Sequence, residues 1–246
     1  MAQVVEHLIE TDDSEMAVMS MLRGQDLREV MVDEAELPDS ERDELAGPFA
    51  HVVVDEAQEL TDAEWQMLLQ RCPSSSFTIV GDRSQARHGF TEGWRERLER
   101  VGFGSVDVAS LGINYRTPVE VMAEAEPVIR SWIPDANVPR SVRSTGSAVV
   151  HAARSELAHI VETWRTTQAD GTACVIGDPA YPASDRVCSL TPELVKGLEF
   201  DLVVVVDPDR FGDGIEGAVD RYVAMTRATA QLVILGGIQT SPGAGR

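Results

Sequence analysis

Lysine is almost absent from this chain: among 246 residues there is one, Lys196. It belongs to no turn of the form G-x-x-x-x-G-K-[ST]. The sequence therefore lacks the backbone nest and cation that ordinarily cradle the β- and γ-phosphates of a nucleotide. Cysteine is scarce as well. Cys72, Cys174 and Cys188 are odd in number and far apart, without C-x-x-C spacing, which argues against a disulfide framework or a thiolate metal site. They are expected to be reduced core residues. No apolar run approaches the roughly 18 residues that span a bilayer, and the first residues, MAQVVEHLIETDD, have no basic stretch. The expectation is a cytoplasmic protein with no membrane partner. Bases are outnumbered, 21 against 41 acids, for a net charge of −20. Such a balance opposes tight non-specific binding to nucleic acid, which depends on phosphate neutralisation. The excess is uneven: residues 1–48 hold 14 Asp/Glu and 3 Arg, a net of −11.

What is present is a regular alternation. Residues 1–48 read as an acidic helical segment, with short helices at Ala2–Ile9 and Ser14–Arg23. From Phe49 the pattern becomes strand, helix, strand. Strands are expected at Ala50–Val54, Ser76–Val80, Val106–Ala109, Ala148–Ala152, Ala173–Ile176, Val187–Leu190, Leu202–Val206 and Leu232–Leu235. Two capping boxes, Thr61-Asp62-Ala63-Glu64 and Thr117-Pro118-Val119-Glu120, open helices that reach about Arg71 and Arg130. Further helices are expected at Thr91–Val101, Ser155–Thr166 and Gly217–Ala228, and residues 239–246 read as a flexible tail. Apolar runs such as Leu202-Val203-Val204-Val205-Val206 suit strands covered on both faces, hence a parallel α/β sheet.

Five segments carry residues suited to chemistry. Asp55-Glu56-Ala57-Gln58 closes an apolar strand with two acids, one able to hold Mg²⁺ and the other to deprotonate a water. Gly81-Asp82-Arg83-Ser84-Gln85 follows the next strand and can present an amide to a phosphate. Asn114-Tyr115-Arg116 offers a guanidinium just ahead of a helix. Thr191 to Phe200 contains Lys196-Gly197-Leu198-Glu199, a candidate tight turn, and Tyr222-Val223-Ala224-Met225-Thr226-Arg227-Ala228 ends a helix on an arginine. Each segment alone also suits an ordinary turn, helix start or surface helix end.

Taken in order, the five resemble motifs II to VI of superfamily 1 helicases of the UvrD/Rep type, over about residues 49–236. Thr191-Pro192-Glu193, with Gln85-Ala86-Arg87-His88-Gly89-Phe90-Thr91, is similar to the HelD/HelR branch, helicase-like ATPases that act on bacterial RNA polymerase. The resemblance implies two RecA-like units, a partial one at 49–110 and a nearly complete one at 111–238, with ATP between them. It implies Mg²⁺ on Asp55 and Glu56 as catalytic base. Gln58 and Gln85 would couple the γ-phosphate to closure, with Arg116 and Arg227 as arginine fingers. Glu199 would lie near ribose or γ-phosphate, and Gly197 would allow close backbone approach. Thr191, His88 and Phe90 would lie on the nucleic-acid side.

The departures are equally specific. His88 and Phe90 stand where strand-tracking helicases carry stacking aromatics, and Glu193 replaces a histidine. About 60 residues separate Arg130 from Leu190, too few for the large insertion of UvrD-type enzymes. The expectation is the C-terminal portion of a helicase-like ATPase, inactive alone and needing a missing N-terminal half to supply the phosphate loop. Its partners would be RNA polymerase or, weakly, single-stranded or duplex DNA. The alternative is a non-enzymatic acidic module that binds RNA polymerase or another protein. The partial unit is expected to leave an apolar sheet edge and face uncovered, and so to be marginally stable or to associate, unless residues 1–46 cover it.

Overall fold

The computed structural model describes residues 47–236, except Gly89 and Thr91. From Phe49 onward they belong to one compact unit. The helices expected at Ala2–Ile9 and Ser14–Arg23, and the tail at 239–246, lie outside the described residues. Among the described residues, no helix is long and apolar enough to cross a membrane.

Strand β1 (Val52–Val54) pairs in parallel with β2 (Phe77–Ile79), in register Val52 to Phe77. Between them runs helix α1 (Asp62–Arg71), whose capping box forms as expected: Glu64 N–H donates to Thr61 Oγ1, and Thr61 N–H donates to Glu64 Oε2 at 2.7 Å. Trp65 on α1 is fully buried and meets Phe103 edge-on at 5.7 Å. Helix α2 (Trp94–Val101) adds Leu98 and Val101 to the same core. Its cap is Gly93, so it begins three residues later than the expected Thr91, and the left-handed Gly102 (φ 115°) ends it.

The expected strand at Val106–Ala109 does not form. This segment lies near β2 without pairing, so among the described residues β2 is bonded on one edge only. The two border a groove of about 180 Å³ lined by Phe77, Ile79, Trp94, Leu98, Phe103 and Val106. Apolar alternation alone did not secure a ladder partner.

The second part is built on five parallel strands in the order β5-β9-β8-β6-β7: β5 (Val150–Ala152), β6 (Ala173–Ile176), β7 (Val187–Leu190), β8 (Phe200–Val206) and β9 (Ala228–Leu235). β8 explains its own sequence. Val203 and Val205 face α3 (Val119–Arg130) and α5 (Gly214–Thr226). Leu202, Val204 and Val206 face α4 (Leu157–Thr167). All five are fully buried, each worth roughly 1.5–3 kcal/mol, so no polar alternation survives. The parallel α/β class read from the sequence is the class observed, consistent with a RecA-like layout.

Several boundaries shift by two or three residues, and three differences from expectation have a clear physical cause. The capping box at α3 does not close: Pro118 is the cap, Thr117 Oγ1 donates to the carbonyl of Thr226, and Glu120 instead accepts from Ser144 Oγ and Gly146 N–H. β9 begins four residues early because Phe200 N–H bonds the Arg227 carbonyl, which starts the ladder as soon as α5 ends. A two-residue parallel pair, β3 (Ile113–Asn114) with β4 (Arg140–Ser141), is too short to leave a periodic signature. Cys72, Cys174 and Cys188 are all free thiols. Burial, with Cys188 beside it, pushes the Cys174 thiol up.

Candidate functional site

Strand β1 delivers Asp55 and Glu56 at its carboxyl end. Glu56 adopts a left-handed conformation (φ 50°), which costs on the order of 1–3 kcal/mol in a residue with a side chain. Asp55 Oδ1 accepts from Glu56 N–H at 2.9 Å, and Ala57 N–H bonds the Val80 carbonyl, so both ends of the turn are held. The turn aims the Glu56 carboxylate at Gln58, whose Nε2 donates to Glu56 Oε2. The Gln58 Oε1 accepts from Asp82 N–H at 3.0 Å. Gln58 thus joins the ends of β1 and β2. Room for that junction depends on Gly81, where a Cβ would fall 2.8 Å from Trp94 and 3.1 Å from Gln58 Oε1.

Asp82 continues the chain of bonds. Its Oδ1 accepts from Ser84 N–H at 2.9 Å, and its Oδ2 accepts from Gln85 Nε2 at 2.8 Å. Gln85 Oε1 in turn accepts from Arg227 Nη2 at 3.2 Å, across 142 positions of sequence. Arg227 is 3% exposed and its Nε donates to the Val223 carbonyl. Burial lowers its pKa first and the nearby Arg116 charge second, while Glu56 and Glu199 oppose them. A continuous path therefore runs Glu56, Gln58, Asp82, Gln85, Arg227.

The other arginine is placed by β3. Asn114 Oδ1 accepts from the main-chain N–H groups of both Arg116 and Thr117, at 2.9 and 3.0 Å, a tight local turn. Arg116 Nη1 then meets Glu199 Oε1 at 3.0 Å. Glu199 follows a turn in which Leu198 N–H bonds the carbonyl of the fully buried Val195. Gly197 serves that turn through its φ of 73°. A Cβ there would meet nothing of this chain within 4 Å, so within the chain itself it is the backbone conformation that favours glycine.

Not every expected residue joins this cluster. Asp55 is exposed and makes no ion pair among the described residues. Thr191 donates its hydroxyl to Glu193, which, with Arg87 2.6 Å away, holds the Glu193 carboxyl below its ordinary value. The His88 ring is exposed beside Glu216 at 3.4 Å. Phe90 is turned inward: it is 8% exposed, edge-on to Trp94 at 5.1 Å, and covered by the Arg97 guanidinium at 4.4 Å. Its ring is not presented to a base. Among the described residues no group of three or more His, Cys, Asp or Glu side chains converges as metal ligands.

Sequence reading missed Asp82 as the hub, and also Arg87 with Asp220. Arg87 Nε lies 3.3 Å from Asp220 Oδ1, a charge contact rather than an aligned hydrogen bond. The available signal was an acid inside the apolar run Gly217-Ala218-Val219-Asp220, where only a partnered carboxylate is tolerable.

No protein-family model and no curated protein matches the chain. Solved structures do. The complex of arterivirus nonstructural protein 10, a helicase, with DNA is 18% identical over 76% of this chain and 40% of that one, with a TM-score of 0.46. The PRRSV helicase is 16% identical over 76% and 35%, at 0.46. The C-terminal domain of a possible DNA helicase from Lactobacillus plantarum is 14% identical over 50% and 87%, at 0.36. The chain spans about 40% of the length of the first of these.

Proposed function

We propose that this chain is the C-terminal portion of a helicase-like ATPase of superfamily 1, of the UvrD/Rep type and nearest the HelD/HelR branch. In this reading residues 49–110 and 111–238 are two RecA-like units, the first partial, with the nucleotide gap between them. The observation that carries it is Arg227, nearly buried, reaching Gln85 from the far end of the chain with Arg116 and Glu56 close enough to act on its charge.

The donor set fits a magnesium nucleotide. Two guanidinium groups lie near one another and suit the oxygens of a phosphate. Asp55 is an exposed carboxylate that pairs with no cation among the described residues, and Mg²⁺ commonly takes one or two carboxylates with phosphate oxygens and waters. When bound, Mg²⁺ and the triphosphate supply an electrophilic phosphorus and neutralise charge between its oxygens. Asp55 would hold the ion. Glu56, oriented by Gln58, would align a water and take its proton. Arg116 and Arg227 would bear on the negative charge that develops, and Gln85 would report it to the β1–β2 side. Glu199 holds Arg116 until a phosphate competes for it.

The missing phosphate loop sets the test. The purified chain is expected to hydrolyse ATP negligibly, and a fragment carrying G-x-x-x-x-G-K-[ST] from the reading frame upstream is expected to restore turnover. Glu56→Gln should abolish the restored turnover and spare nucleotide binding, whereas Arg227→Ala should weaken both. Turnover by the chain alone, or none with the added fragment, would sink the proposal.

The enclosed Phe90 ring supports a second reading, in which a protein such as RNA polymerase is the partner rather than a DNA strand. A pull-down of RNA polymerase indifferent to ATP and to both arginine variants would favour that non-enzymatic module.

A further inference from the structure

The loop from Arg83 to His88 reaches the second part of the molecule through several charged contacts. Arg83 pairs with Asp135, Arg87 with Glu193 and Asp220, and His88 lies beside Glu216. These hold the flanks of the loop by side chains. Lys196 acts on its centre. Its Nζ donates to the main-chain carbonyl of Gln85 at 2.7 Å and pairs with Glu59. The lysine comes from the turn after β7, and Glu59 follows the Asp55-Glu56 turn, 137 positions away. The Lys196 side chain is 19% exposed and that of Glu59 36%, so the lysine is partly shielded while its acid partner faces solvent.

The consequence falls on Gln85. Its side chain is already committed at both ends, Nε2 to Asp82 and Oε1 to Arg227. A glutamine amide bridges two groups best when its own backbone is held; the Gln85 N–H already donates to the Asp82 carbonyl at 2.9 Å, and its own carbonyl is the acceptor left for a hold from the second part. An ammonium is a compact charge with three rotatable donors and can serve acceptors from two elements at once. The remaining bases of this chain are arginines, whose planar fork suits paired oxygens in one plane.

We propose that Lys196 is an interlobe pin: with Glu59 it anchors the backbone of Gln85, and so fixes the distance between the β1–β2 sheet and the five-stranded sheet. The pin holds whether or not the gap takes a nucleotide. Its loss loosens the Gln85 to Arg227 bridge and lets the two sheets separate.

Spin labels on Glu96→Cys (α2) and Ala158→Cys (α4), in a Cys188→Ser background, read that distance by pulsed electron resonance. The labelled chain should give one narrow distribution. Lys196→Gln and Glu59→Gln should each broaden it and shift it outward. The double variant should go no further than either single one, and Lys196→Arg should recover part of the narrow distribution. Arg165→Gln, which breaks a pair within α4, should leave it unchanged. The proposal is overturned if Lys196→Gln keeps the narrow distribution, or if the two single effects add. Should the variants fail to fold, the labelled parent, diluted with unlabelled chain so that only distances within one molecule are read, must broaden reversibly in about 1 M NaCl, where the Debye length is about 3 Å. A distribution that ignores salt would overturn the pin equally.

Discussion

At the scale of single residues, the informative side chains are polar groups held in poorly solvated places. Asp220 is 3% exposed, facing Arg87 with Glu193 and Lys196 near. Burial raises its carboxyl above the ordinary 3.8, and the Arg87 charge only partly opposes this. A carboxyl with a raised folded value favours the folded chain when protonated. That stability is complete below about pH 4 and is lost as pH rises through the raised value. Asp220→Asn should therefore remove this part of the slope, so that its stability gains on the parent as pH rises toward neutrality. Urea unfolding of both chains at several pH values checks this, and parallel profiles would refute it. Glu193 works in the opposite sense. Its lowered value gives stability above the ordinary 4.5 that is lost as pH falls further.

At the scale of elements, short-range chemistry decided α1 and long-range packing decided α3. Both begin with threonine and carry glutamate three residues later, yet only Thr61 and Glu64 complete the reciprocal bonds. Backbone and side-chain hydrogen bonds from Thr61 hold the Glu64 carboxyl below its usual range. Thr61→Ala should cost about 1 kcal/mol of stability. Thr117→Ala should show no cap-type loss, since its hydroxyl serves the end of α5 rather than α3. Chemical denaturation of the two variants checks the contrast, and a loss of equal size with a fraying α3 by hydrogen exchange would contradict it. The same competition accounts for Val106–Ala109, whose strand pattern meets no partner at β2.

At the scale of the whole molecule, charge and the open edge of β2 act against each other. Val53 on β1 is 68% exposed, Val80 after β2 is 50% exposed, and among the described residues β2 has one unpaired side. Such an edge invites association, and a net charge of −20 resists it by repulsion. Salt screens the repulsion and leaves apolar attraction in place. The chain should therefore scatter light as a monomer at low ionic strength and associate as NaCl is added. Val53→Lys should suppress the association, which would be disproved by a monomer at every salt concentration.

The sequence alone determined the parallel α/β class, because a strand buried on both faces must be apolar throughout, as Leu202 to Val206 is. It also determined which side chains were worth watching at the site, since the Asp55-Glu56 and Thr226-Arg227 strings stand out by themselves. Tertiary structure decided what those residues touch. Asp82 as hub, the inward turn of Phe90 and the grip of Lys196 on Gln85 each involve partners that no local pattern specifies. The reason is physical: periodicity and capping act within a few residues, whereas a buried charge takes whatever partner folding brings within hydrogen-bond reach.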